Sequence, residues 1–167
     1  MHVVIELTAF DESGEVGREL LGAEARVIGA GQKAAAGEGI GEKRWSAEQK
    51  EKIRSSRTLG TDLVARTLAG LQSPPKVLLS GSAIGFYGDT GNAAVDEDSP
   101  AGSGFLAEVD QAWEEEASKA ESLGVRVVRI RIGFVLGRDG GAMNLIKPVF
   151  RLGLGGRLGS GSQWMSC

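Results

Sequence analysis

The sequence predicts an α/β domain: a parallel sheet with helices on its faces. Two observations carry that prediction. Residues 47–71 have apolar side chains at helical spacing, end at Pro74-Pro75, and lead into the short apolar run Lys76–Ser80. A second helical pattern, Phe105, Val109, Trp113, Ala117 and Ala120, ends at Gly124 and leads into the β-branched run Val125–Ile132. Helices alternating with strands at this spacing are the signature of parallel pairing.

Each element has its own justification. Ser46 with Gln49 three residues later forms a capping box for the first helix, whose apolar stripe is Ile53, Val64, Leu68 and Leu71, with Gly60 on the same side. Gly81 to about Gly102 is rich in Gly, Asn and Asp and reads as a loop. Ser103 is placed to cap the second helix, and Ala142–Phe150 predicts a third. The first 40 residues carry weaker signals. His2–Leu7 and Ala25–Ile28 are strand candidates, and the Gly- and Ala-rich stretch from Ala23 to Gly41 reads as loop.

The chain has 167 residues, which predicts one domain. Hydrophobic residues at 41% and charged residues at 25% fit a globular protein and exclude intrinsic disorder. A net charge of -3 supplies no basic field for a nucleic acid backbone. The single Cys, at 167, and the single His, at 2, exclude an internal disulfide, a Cys-based zinc site and a Ser-His-Asp triad, so no metal is expected. No apolar run approaches the ~18 residues of a membrane span, and no secretory layout opens the chain. The expected setting is soluble, reducing and cytoplasmic. Glycine is the unusual count, 26 residues, about twice the common ~7%.

Two glycine-rich segments invite a phosphate-loop reading. Gly81-Ser82-Ala83-Ile84-Gly85-Phe86-Tyr87-Gly88 follows a strand, but a turn and not a helix comes next, so half of the anion-binding arrangement is missing. Gly29-Ala30-Gly31 lacks both a following helix and an acidic residue at the right distance. Ligands in open α/β sheets bind beyond the carboxyl ends of the strands, and Ser80, Ser82 and Tyr87 sit there. Their hydroxyls either hydrogen-bond a substrate oxygen or satisfy loop backbone. Arg57 falls on the apolar stripe of the first helix and requires an anion, either a carboxylate or a phosphate. Arg129 and Arg131 share one face of the Val125–Ile132 strand, where structural salt bridges are expected. Glu114-Glu115-Glu116 reads as a solvated face.

Taken in order, these segments resemble the atypical short-chain dehydrogenase/reductase group called the epimerase family. The resemblance rests on Arg44-Trp45-Ser46, Ile53-Arg54-Ser55-Ser56-Arg57, Ser80–Gly88, Asp96–Pro100, Phe105–Val109 with Trp113-Glu114, and Gly133–Gly137. It continues through Gly140–Ala142, Phe150–Gly156, Gly159–Gly161 and Gln163-Trp164, covering about residues 36–166. It implies a Rossmann-like sheet with flanking helices that binds NADP(H), and an oxidoreductase or epimerase of undefined substrate, a sugar nucleotide or another carbonyl or alcohol. By the same resemblance Arg57 contacts the cofactor, favouring its phosphate, and Val135 lies on the nicotinamide side. Gly37 and Glu38 end a cofactor-lining stretch, and Ser82 stands where the wider superfamily has its catalytic serine. Tyr87 is the candidate proton donor.

Three departures from the family pattern shape the expectation. No Gly-x-x-Gly-x-x-Gly loop is found in residues 1–35. Phe105 and Val109 stand where the superfamily has its Tyr-x-x-x-Lys pair, a departure the family itself shares. The family continues beyond the position of Cys167. The chain is therefore expected to be the middle of such a protein, with 1–35 an irregular or replaced segment and 36–167 a partial Rossmann-type domain. Weak or no cofactor binding and no turnover are expected of these 167 residues alone. The competing expectation is a non-catalytic module that binds a nucleotide or a protein partner through exposed sheet faces.

Overall fold

The computed structural model describes residues 38–41, 43–72, 74–134, 142–157 and 159–166, together with the backbone of two short strands at 3–5 and 25–26. In chain order the elements are β1 (Val3–Ile5), β2 (Ala25–Arg26), α1 (Ala47–Ala69), β3 (Val77–Ala83), α2 (Phe105–Ser118), β4 (Arg126–Ile132) and α3 (Ala142–Arg151). Short 3₁₀ turns follow β3 at Ile84–Tyr87 and α2 at Lys119–Leu123. The four strands form one parallel sheet in the order β2-β1-β3-β4. The Rossmann-like fold class, with its parallel sheet and flanking helices, holds.

α1 begins at Ser46, whose hydroxyl accepts from the Gln49 N–H at 3.2 Å. The expected capping box is only half made, because the Gln49 side chain turns away to donate to Glu38. The helix buries Gln49, Ile53, Thr61, Val64, Ala65 and Leu68, one stripe at a spacing of three to four residues. It stops at Gly70, whose N–H closes on Arg66 and Thr67 carbonyls. α2 presents Ala107, Val109, Trp113 and Ala117, and the Trp113 indole donates to the Thr61 hydroxyl at 2.9 Å, tying the two helices together. Beneath them Val64, Leu68, Leu78, Ala120 and Val125 form a core cluster.

Two boundaries differ from expectation, one through strand pairing and one through a backbone dihedral. β3 runs three residues beyond Ser80, because Gly81, Ser82 and Ala83 pair in register with Ile130, Arg131 and Ile132 of β4. Ser82 therefore lies in a strand and not in the loop. α2 is capped by Gly104 with φ of 100° and no side-chain hydrogen bond, so Ser103 is not the cap. A left-handed residue there favours glycine, which has no Cβ to clash. Gly124 ends the turn after α2 at φ 74°, as its sequence position suggests.

Parallel register decides which side chains share a face. Leu78, Ser80 and Ser82 are buried on β3, and their β4 partners Val127, Arg129 and Arg131 point with them toward the helices. Ile130 and Ile132 point the other way and are 42% and 39% exposed. The helix-covered face of β4 is thus charged and paired, while the opposite face is apolar and open. Beyond β4, the Phe134 N–H donates to the Ser166 carbonyl, bringing the last described residues back beside the strand end.

Candidate functional site

The carboxyl ends of β3 and β4 carry a connected polar chain. Glu114 of α2 is buried, so the expected solvated Glu114–Glu116 face is corrected at its first member. Its carboxylate takes a fork from Arg131: Nε donates to Oε1 at 2.8 Å and Nη2 to Oε2 at 2.9 Å. The Ser82 hydroxyl donates to the same Oε1 at 2.6 Å. Arg131 has one nitrogen left, and Nη1 donates to the Tyr87 hydroxyl at 2.8 Å. The Phe86 ring covers the guanidinium, with its centroid 3.5 Å from Cζ. Burial pushes Glu114 up, but the bonds from Arg131 and Ser82 outweigh it and hold the carboxyl below its usual range. Arg131 is raised further above its ordinary value, chiefly by Glu114.

One turn earlier on α2 the situation is opposite. Asp110 is 4% exposed, and its carboxylate has no hydrogen bond among the described residues. One oxygen lies against Gly85, where an added Cβ would stand only 2.6 Å from it. Burial, with Glu114 adding repulsion, pushes Asp110 up to about 7 against the opposing pull of Arg57 and Arg131. Arg57 of α1 is half-buried, and burial lowers it despite the nearby Asp110 charge. Its Nη1 donates to two backbone carbonyls, Ile53 at 2.9 Å and Glu38 at 3.3 Å, and the guanidinium lies 5.6 Å from the Trp113 ring. No carboxylate comes within ion-pair distance of Arg57 among the described residues.

The segment before α1 is fastened to it at the same point. The Glu38 N–H donates to Ser56, and its carboxylate accepts from Gln49 and Lys43, which hold it below the usual range, Gln49 most strongly. Trp45 stacks edge-on against Phe105 at 5.3 Å, joining this segment to the start of α2.

Beyond the strand ends lies a cleft of about 810 Å³, within the size range of small-molecule sites. Its lining includes Ile84, Tyr87 and Arg131 together with Asp96, Glu97 and Trp164. The Trp164 indole is held there by Asn92, at 2.9 Å.

Of the residues singled out from sequence, Glu38 and Arg57 come together where the segment before α1 packs against the middle of that helix. Ser82 and Tyr87 come together through Glu114 and Arg131. Ser82 is buried with its hydroxyl committed to Glu114, whereas Tyr87 faces the cleft. Gly37 and Val135 lie outside the described residues. Arg129 makes the expected salt bridge, to Glu121 at 2.6 Å, and Arg131 makes its own to Glu114. Sequence reasoning missed Glu114 and Asp110. Their available signal was an i, i+4 carboxylate pair flanking Trp113 on the inward face of a helix whose following strand presents Arg131.

No protein-family model matches the chain. It is 46% identical over 125 residues to the chloroplastic epimerase family protein SDR39U1 homolog of Arabidopsis thaliana, a match covering 74% of the chain and 36% of that protein. With an epimerase family protein of Mycobacterium leprae it shares 38% identity over 130 residues, 78% of the chain and 42% of the relative. Among solved structures it superposes on the human epimerase family protein SDR39U1 with NADPH at a TM-score of 0.75 and 29% identity. That match covers 99% of this chain and 64% of the other. A nucleoside-diphosphate sugar epimerase of Corynebacterium glutamicum gives 0.64 at 38% identity, over 74% of the chain and 26% of that one. The chain thus spans less than half the length of these curated relatives.

Proposed function

We propose, because the chain carries epimerase-family sequence over about three quarters of its length, that it belongs to an NADP(H)-binding oxidoreductase or epimerase-like protein. The observation that carries the reading is Arg57. A half-buried guanidinium bonded to carbonyls, with no carboxylate within ion-pair distance among the described residues, keeps donor capacity for a phosphate. That donor set fits the cofactor's anionic groups. Arg57, with Glu38 and Gly37 beside it in sequence, would hold the nucleotide, and Val135 after β4 the nicotinamide side. When bound, the nicotinamide supplies or accepts the hydride.

The substrate, a carbonyl, an alcohol or the sugar of a sugar nucleotide, occupies the cleft at the strand ends. Tyr87 contacts it there, and Ser82 stands behind, holding Glu114 in place. Asp96 and Glu97 give the lining of the cleft acidic groups beside the Tyr87 hydroxyl. The chain belongs in an aqueous reducing compartment, the cytoplasm or, given the Arabidopsis relative's name, a chloroplast.

Weak binding of NADPH is expected of this chain of 167 residues. NADPH added to it should quench tryptophan fluorescence saturably, with a Kd in the range of about 0.1–1 mM, on the order of -4 to -5.5 kcal/mol. A folded chain showing no saturable change up to solubility would overturn the cofactor reading. It would favour the second reading, a partner-binding module, for which the open apolar face at Ile130 and Ile132 is the supporting observation.

A further inference from the structure

We propose that Arg131, clamped by Glu114 and Ser82, is a positioning residue that prepares Tyr87 as the proton donor of this site. The inference deepens the oxidoreductase reading and rests on it. It starts from the donor inventory. A guanidinium has only N–H donors, so in the Arg131–Tyr87 bond the phenol oxygen accepts. The Tyr87 proton then remains available, and among the described residues it is given to no protein acceptor. Tyr87 lines the cleft, so its O–H is available to a ligand there.

The clamp makes the arrangement rigid. All three Arg131 nitrogens are used, two by the Glu114 fork and one by Tyr87, and Phe86 covers the plane. Glu114 is in turn fixed by Ser82 from the strand that pairs with the one carrying Arg131. A preorganised cation beside a phenol oxygen stabilises negative charge as it forms there, without reorganisation. This supplies from β4 what a lysine on the helix supplies in a Tyr-x-x-x-Lys pair, whose positions here are Phe105 and Val109.

In the reducing direction the step balances as follows. The Tyr87 O–H bond would break and an O–H bond would form on the substrate oxygen, with the hydride for the carbonyl carbon supplied by the reduced nicotinamide that the proposed cofactor would bring, which is oxidised in turn. The phenolate charge stays beside Arg131 until solvent entering the open cleft returns the proton. The oxidising direction is the reverse.

Tyr87 is the single tyrosine of the chain, so its chemistry can be read directly. Tetranitromethane nitrates phenolate, and mass spectrometry counts the product. Because Arg131→Gln alone strands a buried Glu114, the main variant is Glu114→Gln with Arg131→Gln, which removes both charges; circular dichroism confirms that it folds. The expected result is nitration of Tyr87 slowed roughly tenfold in the double variant, with Arg131→Lys retaining most of the rate. Nitration equal or faster in the folded double variant overturns the proposal, as does an Arg131→Lys rate no higher than that of the double variant. The NADPH titration of the unaltered chain is a separate readout: its failure sinks the cofactor reading, whereas the nitration rates decide the role of Arg131.

Discussion

Arg57 and Arg131 both place a guanidinium among buried groups on the helix-covered side of the sheet, and they are answered differently. Arg131 meets a forked carboxylate, a hydroxyl and an aromatic face, and none of its nitrogens is left over. Arg57 meets two carbonyls and the Trp113 ring, while the buried acid Asp110, among the described residues, stays out of ion-pair range and without a hydrogen bond. A closed network positions other groups and takes no new ligand. An open one keeps binding capacity, at a cost in stability that the fold carries elsewhere. Both arrangements hang on α2, one turn apart at Glu114 and Asp110.

The largest effect is expected where the closed network is cut. Glu114→Ala leaves the partly buried Arg131 without its carboxylate and Ser82 without its acceptor, and stability in urea should fall by about 2–4 kcal/mol. A loss under about 1 kcal/mol would mean that the network is not closed.

Asp110 offers the converse test. The unfolded carboxyl loses its proton near 3.8 and the folded one near about 7, so between those values the folded chain keeps a proton that the unfolded chain has released. Stability should therefore fall as pH rises through that window and level off above it. Asp110→Asn should remove the slope, gaining a few kcal/mol at pH 8, on the order of 4 at most, and little at pH 4. Denaturation curves with equal pH slopes in both proteins would contradict this.

A smaller effect sharpens where Asp110 sits. Gly85→Ala should cost about 1–3 kcal/mol because its methyl would press on the Asp110 carboxylate and on Leu106. Combining it with Asp110→Ala should recover most of that loss, and two purely additive losses would show that the contact is absent.

Much of this comparison was legible in the sequence. Arg57 stood out because a cation interrupts an apolar helical stripe, and α1, α2, β3 and β4 followed from caps, periodicity and the Pro74-Pro75 stop. The closed network did not stand out. Glu114 opens a run of three glutamates that local reasoning assigns to solvent, and only the β3–β4 register places Arg131 beneath it. Ser82 was legible as a residue near a strand end but not as one inside it. Gly81-Ser82 has loop composition, and its strand conformation comes from pairing with β4. Ser103 was the preferred cap by residue type, yet the left-handed backbone at 104 placed the cap at glycine. In each case a long-range pairing or a backbone dihedral overrode a sound local preference.

The most direct test is the affinity of the Arg57→Ala chain for NADPH, set beside that of the unaltered chain under one salt condition. If Arg57 is the open arginine that receives a cofactor phosphate, the variant should keep its fold and bind about tenfold more weakly or worse, a loss of about 1.4 kcal/mol or more. Unchanged affinity in the folded variant would contradict the account, because the cofactor would then be held without the group that the structure leaves open for it.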